Sequence, residues 1–133
     1  MDKPRYHGGE NAPNLIYIEF KFFVDGATAP VNPGNPLNFY ITSFTRVSQG
    51  IFRLTLADTY KLHVDTAATM NVAAGGVQRW AQAGPVANFG TALPATVDIL
   101  IVDNANAVQD PPAGASVNNF ISGTIICCDS GQV

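Results

Sequence analysis

Phe39-Tyr-Ile-Thr-Ser-Phe-Thr-Arg-Val-Ser-Gln-Gly-Ile-Phe-Arg-Leu-Thr-Leu-Ala-Asp-Thr-Tyr60 contains two β-rich runs around a polar break, Ser48-Gln49-Gly50. In the second run Phe52, Leu54 and Leu56 alternate with Arg53 and Thr55. That period of two puts apolar side chains on one face and polar ones on the other, as a half-buried strand requires. Gly50 supplies the positive φ that short hairpin loops demand. Residues 39–60 therefore read as a β-hairpin around which the other strands pair.

Upstream, residues 15–24 alternate in the same way. Ile16, Ile18, Phe20, Phe22 and Val24 fall on a core face, and Tyr17, Glu19, Lys21 and Phe23 on an outward one. Tyr17 and Phe23 exceed what a solvated face needs and are candidate contact residues. Between this strand and the hairpin, residues 25–36 hold Pro30, Pro33, Gly34 and Pro36, which exclude helix and strand alike. So long a loop is expected to reach a neighbour. Residues 1–14 carry Pro4, Gly8, Gly9 and Pro13 and read as a flexible, extended N-terminal arm. Its adhesive residues are Arg5, Tyr6 and His7. The arm is either a loose end or a strap laid on a neighbouring subunit.

Downstream, Ala57 to Lys61 reads as a tight turn in which Asp58 accepts backbone N–H groups. Leu62, Val64, Ala68, Met70 and Val72 share one parity, consistent with one strand or a broken pair, which leaves His63 facing outward. Residues 77–82 read as a short strand bearing the only tryptophan. Trp80 is either core or, with Arg79, an interface anchor, since Trp and Arg are typical hot-spot residues. Residues 84–94 read as irregular. The nearly all-apolar run 96–103 belongs to a strand covered on both faces, central or buried in an oligomer. Residues 117–128 supply a last strand expected to pair with an early one. The expected fold is all-β: a single-domain antiparallel β-sandwich or barrel of about seven strands. The arm is residues 1–14 and the β-sandwich domain residues 15–133.

The chain has 133 residues, enough for a core without disulfide or metal help. Only 13% of them are charged, against roughly a quarter in an average domain. Either the faces are simply neutral, or some are buried against other subunits, because interface cores are depleted in charge. The seven basic residues are scattered from Lys3 to Arg79 and the net charge is −3. Nucleic-acid binding, which needs clustered cations, is not expected. Neither is a membrane span, nor export by a signal peptide, since the N-terminus is polar; synthesis in the cytosol is expected.

Chemistry finds no footing in the spacing. Cys127 and Cys128 are adjacent, so on a strand they point to opposite faces and are badly placed to bond each other. His63 has no ligand-spaced partner. Asp103, Asn104, Asn106 and Asp110 fit no calcium loop and read as turn formers. No catalytic residue, cofactor or metal is assigned, and the chain is not expected to be an enzyme.

Residues 44–60 resemble a segment of small tailed-bacteriophage virion proteins, of the type T-R-x-x-x-G-x-[YF]-x-[VIL]-T-L-x-D-x-Y. Thr45, Arg46, Gly50, Phe52, Leu54, Thr55, Leu56, Asp58 and Tyr60 match it. The resemblance implies a β-sandwich structural protein of the virion, of the capsid cement or decoration kind, at the capsid surface after synthesis in the host cytoplasm. It implies the major capsid protein or other virion proteins as partners, several copies of this chain on the particle, and no catalytic residues. The alternative is a carbohydrate- or receptor-binding module of a phage tail, using aromatics such as Trp80, Tyr17 and Phe23.

Overall fold

The computed structural model of the chain describes residues 15–34 and 38–129. Among them are seven strands and no helix: β1 (Leu15–Phe23), β2 (Ile41–Ser48), β3 (Ile51–Leu56), β4 (Leu62–Asn71), β5 (Trp80–Ala87), β6 (Thr96–Val102) and β7 (Phe120–Cys128). They form two antiparallel sheets, ordered β1-β7-β4 and β2-β3-β6-β5, stacked as a β-sandwich.

Alternation in sequence builds the core between the sheets. Ile16, Ile18, Phe20 and Phe22 of β1 and Ile121, Ile125 and Cys127 of β7 meet Phe52, Leu54 and Leu56 of β3 and Val97, Ile99 and Ile101 of β6. Phe22 sits at the centre, 4.9 Å from the Phe44 ring and 5.8 Å from the Phe52 ring, centroid to centroid. Each such side chain, once buried, stabilises the fold by roughly 1.5–3 kcal/mol. The first and last strands pair along their full length, from Leu15 opposite Cys128 to Phe23 opposite Phe120. Gly123 faces inward in that ladder. A Cβ there would overlap the Ala67 carbonyl oxygen and lie 2.8 Å from the Phe20 ring, so the glycine makes room for a phenylalanine.

The hairpin forms as read, with Gly50 at φ 69° in its turn. Its first strand starts later than the sequence suggests: Phe39 and Tyr40 lie in a turn opened by Asn38, itself at φ 62°, and β2 begins at Ile41. The apolar run 96–103 is central, β6 lying between β3 and β5. Its outward Asp98 is nearly buried and takes a bidentate ion pair from its cross-strand neighbour Arg53, at 2.8 and 3.1 Å.

Two local readings need correction. The even-numbered set in 62–73 is not one face, because the β4–β7 register shifts between His63 and Asp65. This bulge exposes Leu62 and Val64, buries Thr66 and turns His63 inward, opposite Cys127. The short strand at 77–82 is in fact Trp80–Ala87 and runs through Gly84-Pro85. β5 is an edge strand, so Pro85 costs no central ladder bond, and the register shifts between Ala83 and Val86. The 25–34 part of the long loop folds back on its own sheet. Phe23 and Val31 exchange backbone hydrogen bonds of 2.9 and 3.0 Å.

Candidate interaction surface

The outward face of the three-stranded sheet is built by the residues that alternate with the core. Across β1, β7 and β4 the rows are Tyr17–Ile126–Asp65, Glu19–Thr124–Ala67, Lys21–Ser122–Thr69 and Phe23–Phe120–Asn71. Small hydroxyl and methyl side chains fill its middle. Its charges are Glu19 and Lys21 on one border strand and Asp65 on the other. The result is a surface sparse in charge, two carboxylates to one ammonium, on which β4 is mostly exposed.

At the β1 border this face drops into a groove of about 570 Å³, walled by Tyr17, Glu19, Lys21, Phe39, Tyr40 and Thr124. Asn38 fixes that wall. Its side chain accepts the Lys21 N–H at 2.8 Å and donates to the Lys21 carbonyl at 2.6 Å, as a neighbouring strand would. Asn32 anchors it further, accepting from the same amide nitrogen at 2.9 Å. Phe39, 57% exposed, stands edge-on to Tyr40 at 5.0 Å.

The face gathers two of the residues singled out from sequence, Tyr17 and Phe23. Tyr17 is exposed, whereas Phe23 is half-covered, with the Lys21 ammonium 5.9 Å from its ring and 4.1 Å from that of Phe120. Arg79 and Trp80 are not brought to them. Trp80 opens β5 in the other sheet, 46% exposed, opposite Val102. Arg79 donates to the Asp110 carbonyl at 3.2 Å and so ties a loop. Arg5, Tyr6 and His7 lie outside the described residues. Sequence reading missed Asn38, Phe39, Tyr40, Ser122 and Thr124. Phe39 and Tyr40 carried a signal, two adjacent aromatics after a proline-rich loop, but they read as strand.

The residues weighed for chemistry have structural partners. Cys127 and Cys128 are both buried, and neither forms a disulfide among the described residues. Asp58 accepts the Thr59 N–H at 2.7 Å. Asp103 accepts the N–H groups of Ala105 and Ala107 at 2.8 and 3.0 Å, and those bonds hold its carboxyl below the usual range. Asp110 is held low by the Arg46 guanidinium, aided by the Gly50 N–H. Among the described residues no group of three or more His, Cys, Asp or Glu side chains is placed to hold a metal ion. Burial of the His63 ring lowers its pKa, with Asp65 opposing; Nε2 lies 2.6 Å from the Thr66 hydroxyl.

The residues of the phage-like segment acquire roles in folding. Arg46 grips Asp110 through two hydrogen bonds of 3.1 and 2.8 Å. Phe52, Leu54, Leu56 and Tyr60 are core, and Thr45 contacts the Arg53 carbonyl at 3.4 Å. Comparison with known proteins finds no matching family model, no matching curated protein and no matching solved structure.

Proposed function

We propose that the protein is a non-enzymatic structural component of a tailed-phage virion, a cement or decoration protein that binds the assembled head at the capsid surface. The major capsid protein is the partner in this reading, and several copies of the chain occupy each particle. The observation that carries it is the charge-poor outer face of the three-stranded sheet, its middle filled by Thr, Ser and Ala side chains. Docking a charged face strips water from ions at a cost of several kcal/mol each. The Thr, Ser and Ala side chains in the middle of this face avoid that cost, and its three charges stand on the two border strands. Each contact on such a face is weak, and a symmetric shell multiplies it by avidity.

The test is retention on purified heads that lack the protein. Thr124→Glu sets a second carboxylate directly opposite Glu19, on a face whose carboxylates already outnumber its one ammonium, with the backbone ladder untouched. Binding should fall at least about tenfold, the equivalent of about 1.4 kcal/mol, with the circular dichroism spectrum unchanged. Undiminished binding by the variant, or no binding by the wild type, removes this reading.

A second reading is favoured by the groove itself. Tyr17, Phe39 and Tyr40 beside Glu19, Lys21 and Asn38 are a combination of ring faces and polar groups suited to a sugar, as in a carbohydrate- or receptor-binding module of a tail. A glycan array on which the wild type binds and Phe39→Ala does not decides for it.

A further inference from the structure

A β-sandwich of two open sheets has four edge strands, and exposed edges invite pairing unless something blunts them. Here three are blunted. On β1, Asn38 occupies the backbone groups of Lys21, and Val31 those of Phe23. β5 carries Gly84-Pro85 and a register shift. β4 carries the bulge at Val64, followed by Asp65, and lies against β5 of the other sheet.

β2 differs. It runs eight residues, Ile-Thr-Ser-Phe-Thr-Arg-Val-Ser, with β3 as its one strand neighbour among the described residues. It has no proline and no lysine. Its only charge, Arg46, is folded onto Asp110 and neutralised there. Its register shifts lie near its two ends, leaving Ser43 to Arg46 regular.

The hydrogen-bond pattern shows which groups this edge presents. The Leu56 N–H goes to the Ala95 carbonyl, and the Gly50 carbonyl takes the Ile101 N–H. Even-numbered β3 residues therefore turn their main-chain groups toward β6, and odd-numbered ones toward β2. Arg53 and Thr55 face Thr45 and Ser43 in the β2 ladder. By alternation, the N–H and C=O groups of Phe44 and Arg46 point away from the sheet.

We propose that β2 is a homotypic pairing edge and that its occupant is the β2 strand of a second copy of this chain, antiparallel about a two-fold axis at Thr45. In that register Phe44 of each copy faces Arg46 of the other, and about four main-chain hydrogen bonds form. Thr45 meets Thr45 across the axis in a non-hydrogen-bonded pair, where side chains approach most closely. Charge favours this occupant. Arg46 is matched by Asp110 and Arg53 by Asp98 within each copy, so two edges meet without unpaired like charges. The pairing joins two four-stranded sheets into one continuous sheet. It leaves the outer face of each three-stranded sheet open, so it stands or falls separately from head binding.

Cysteine cross-linking in the free full-length chain tests it. The native thiols are buried, so an introduced surface cysteine reports on its own contacts. Thr45→Cys should give a disulfide-linked dimer under mild oxidation, because Cβ atoms of such a pair lie near disulfide range. Ser43→Cys, which faces Val47 of the other copy in this register, should cross-link at least about tenfold more slowly. Sedimentation of the wild type should show a monomer–dimer equilibrium, which Thr45→Asp shifts to monomer by placing two carboxylates face to face. Equal cross-linking at positions 43 and 45, none at 45, or a dimer indifferent to Thr45→Asp overturns the proposal.

Discussion

The two ends of the sandwich are tied off by different chemistry. At the end holding the β2–β3 turn, side-chain acceptors reach across long stretches of sequence. Asp110 takes Arg46 and the Gly50 N–H, Asp25 takes the Gly114 N–H at 2.7 Å, and Asn119 takes the Ala73 N–H at 2.7 Å. At the opposite end the ties are main chain to main chain. Ala57 donates to Tyr40, Lys61 to Cys128 and Gly90 to Tyr60, at 2.9, 2.9 and 2.8 Å. Aromatic packing closes that end: Tyr60 is buried, and His63 stands edge-on to Phe89 at 5.4 Å. Main-chain bonds also cross the first end, Val24 to Asn119 and Gly26 to Pro112 at 3.1 Å each, so what sets that end apart is the set of long-range side-chain acceptors added to them. Substitutions that remove one acceptor should separate the two.

The largest effect is expected where the turn end leaves no room at all. A Cβ on Gly50 would lie 2.6 Å from the Gln109 carbonyl oxygen and 2.7 Å from Val108 Cγ1, on a backbone already at φ 69°. Gly50→Ala must both strain the turn and push back the segment carrying Asp110. A loss of about 2–4 kcal/mol in chemical denaturation is expected. A loss under about 0.5 kcal/mol would mean that the 103–112 loop is not seated on the hairpin.

Removing the acceptor itself comes next. Asp110→Ala takes the partners from Arg46 and leaves the Gly50 N–H without its carboxylate. The expected cost is about 1–3 kcal/mol. Asp110→Asn keeps one acceptor oxygen for Gly50 and should recover part of it. If alanine and asparagine cost the same, the carboxylate charge on Arg46, and not the turn bond, is what matters.

These ties mark the limit of what the sequence makes legible. Alternation alone locates the core faces of β1 and β3, since inward residues such as Phe20 and Leu54 differ sharply in polarity from their neighbours. It also places Tyr17 and Phe23 on one outward face. It fails at β4 and β5, because a bulge inverts parity without leaving a mark in composition: Val64 turns out and His63 turns in, while Thr66, of Val64's own parity, is inward beyond the bulge. Gly84-Pro85 looks like a loop because its tolerance depends on β5 being an edge, a property of topology. Asp103 and Asp110 are recognisable as turn formers, yet nothing local tells that Asp110 answers to Arg46. The groove stayed hidden because Asn38 works as a false strand, satisfying Lys21 with a side chain.

The smallest effect belongs to the opposite end and is a matter of pH. His63 packs between Thr66 and the Phe89 ring, and burial lowers its pKa below the ordinary 6.5 while Asp65 pulls the other way. The folded imidazole thus binds a proton more weakly than the unfolded one. Between those two values the unfolded chain holds more protons, so acidification favours it. Stability should be full above about pH 6.5 and should decline as the pH falls toward the lowered folded value. Asp103 and Asp110 do not confuse the window: their folded values are depressed, so their contribution is lost only as the pH falls below the ordinary carboxylate range. The chain's other histidine, His7, lies outside the described residues, and His7→Gln is the control. Melting temperatures of His63→Gln should be level between pH 7 and pH 5, while wild type and His7→Gln both fall. If His63→Gln retains the slope and His7→Gln loses it, the pH response belongs to the N-terminal residues and the ring-packed end is indifferent to protonation.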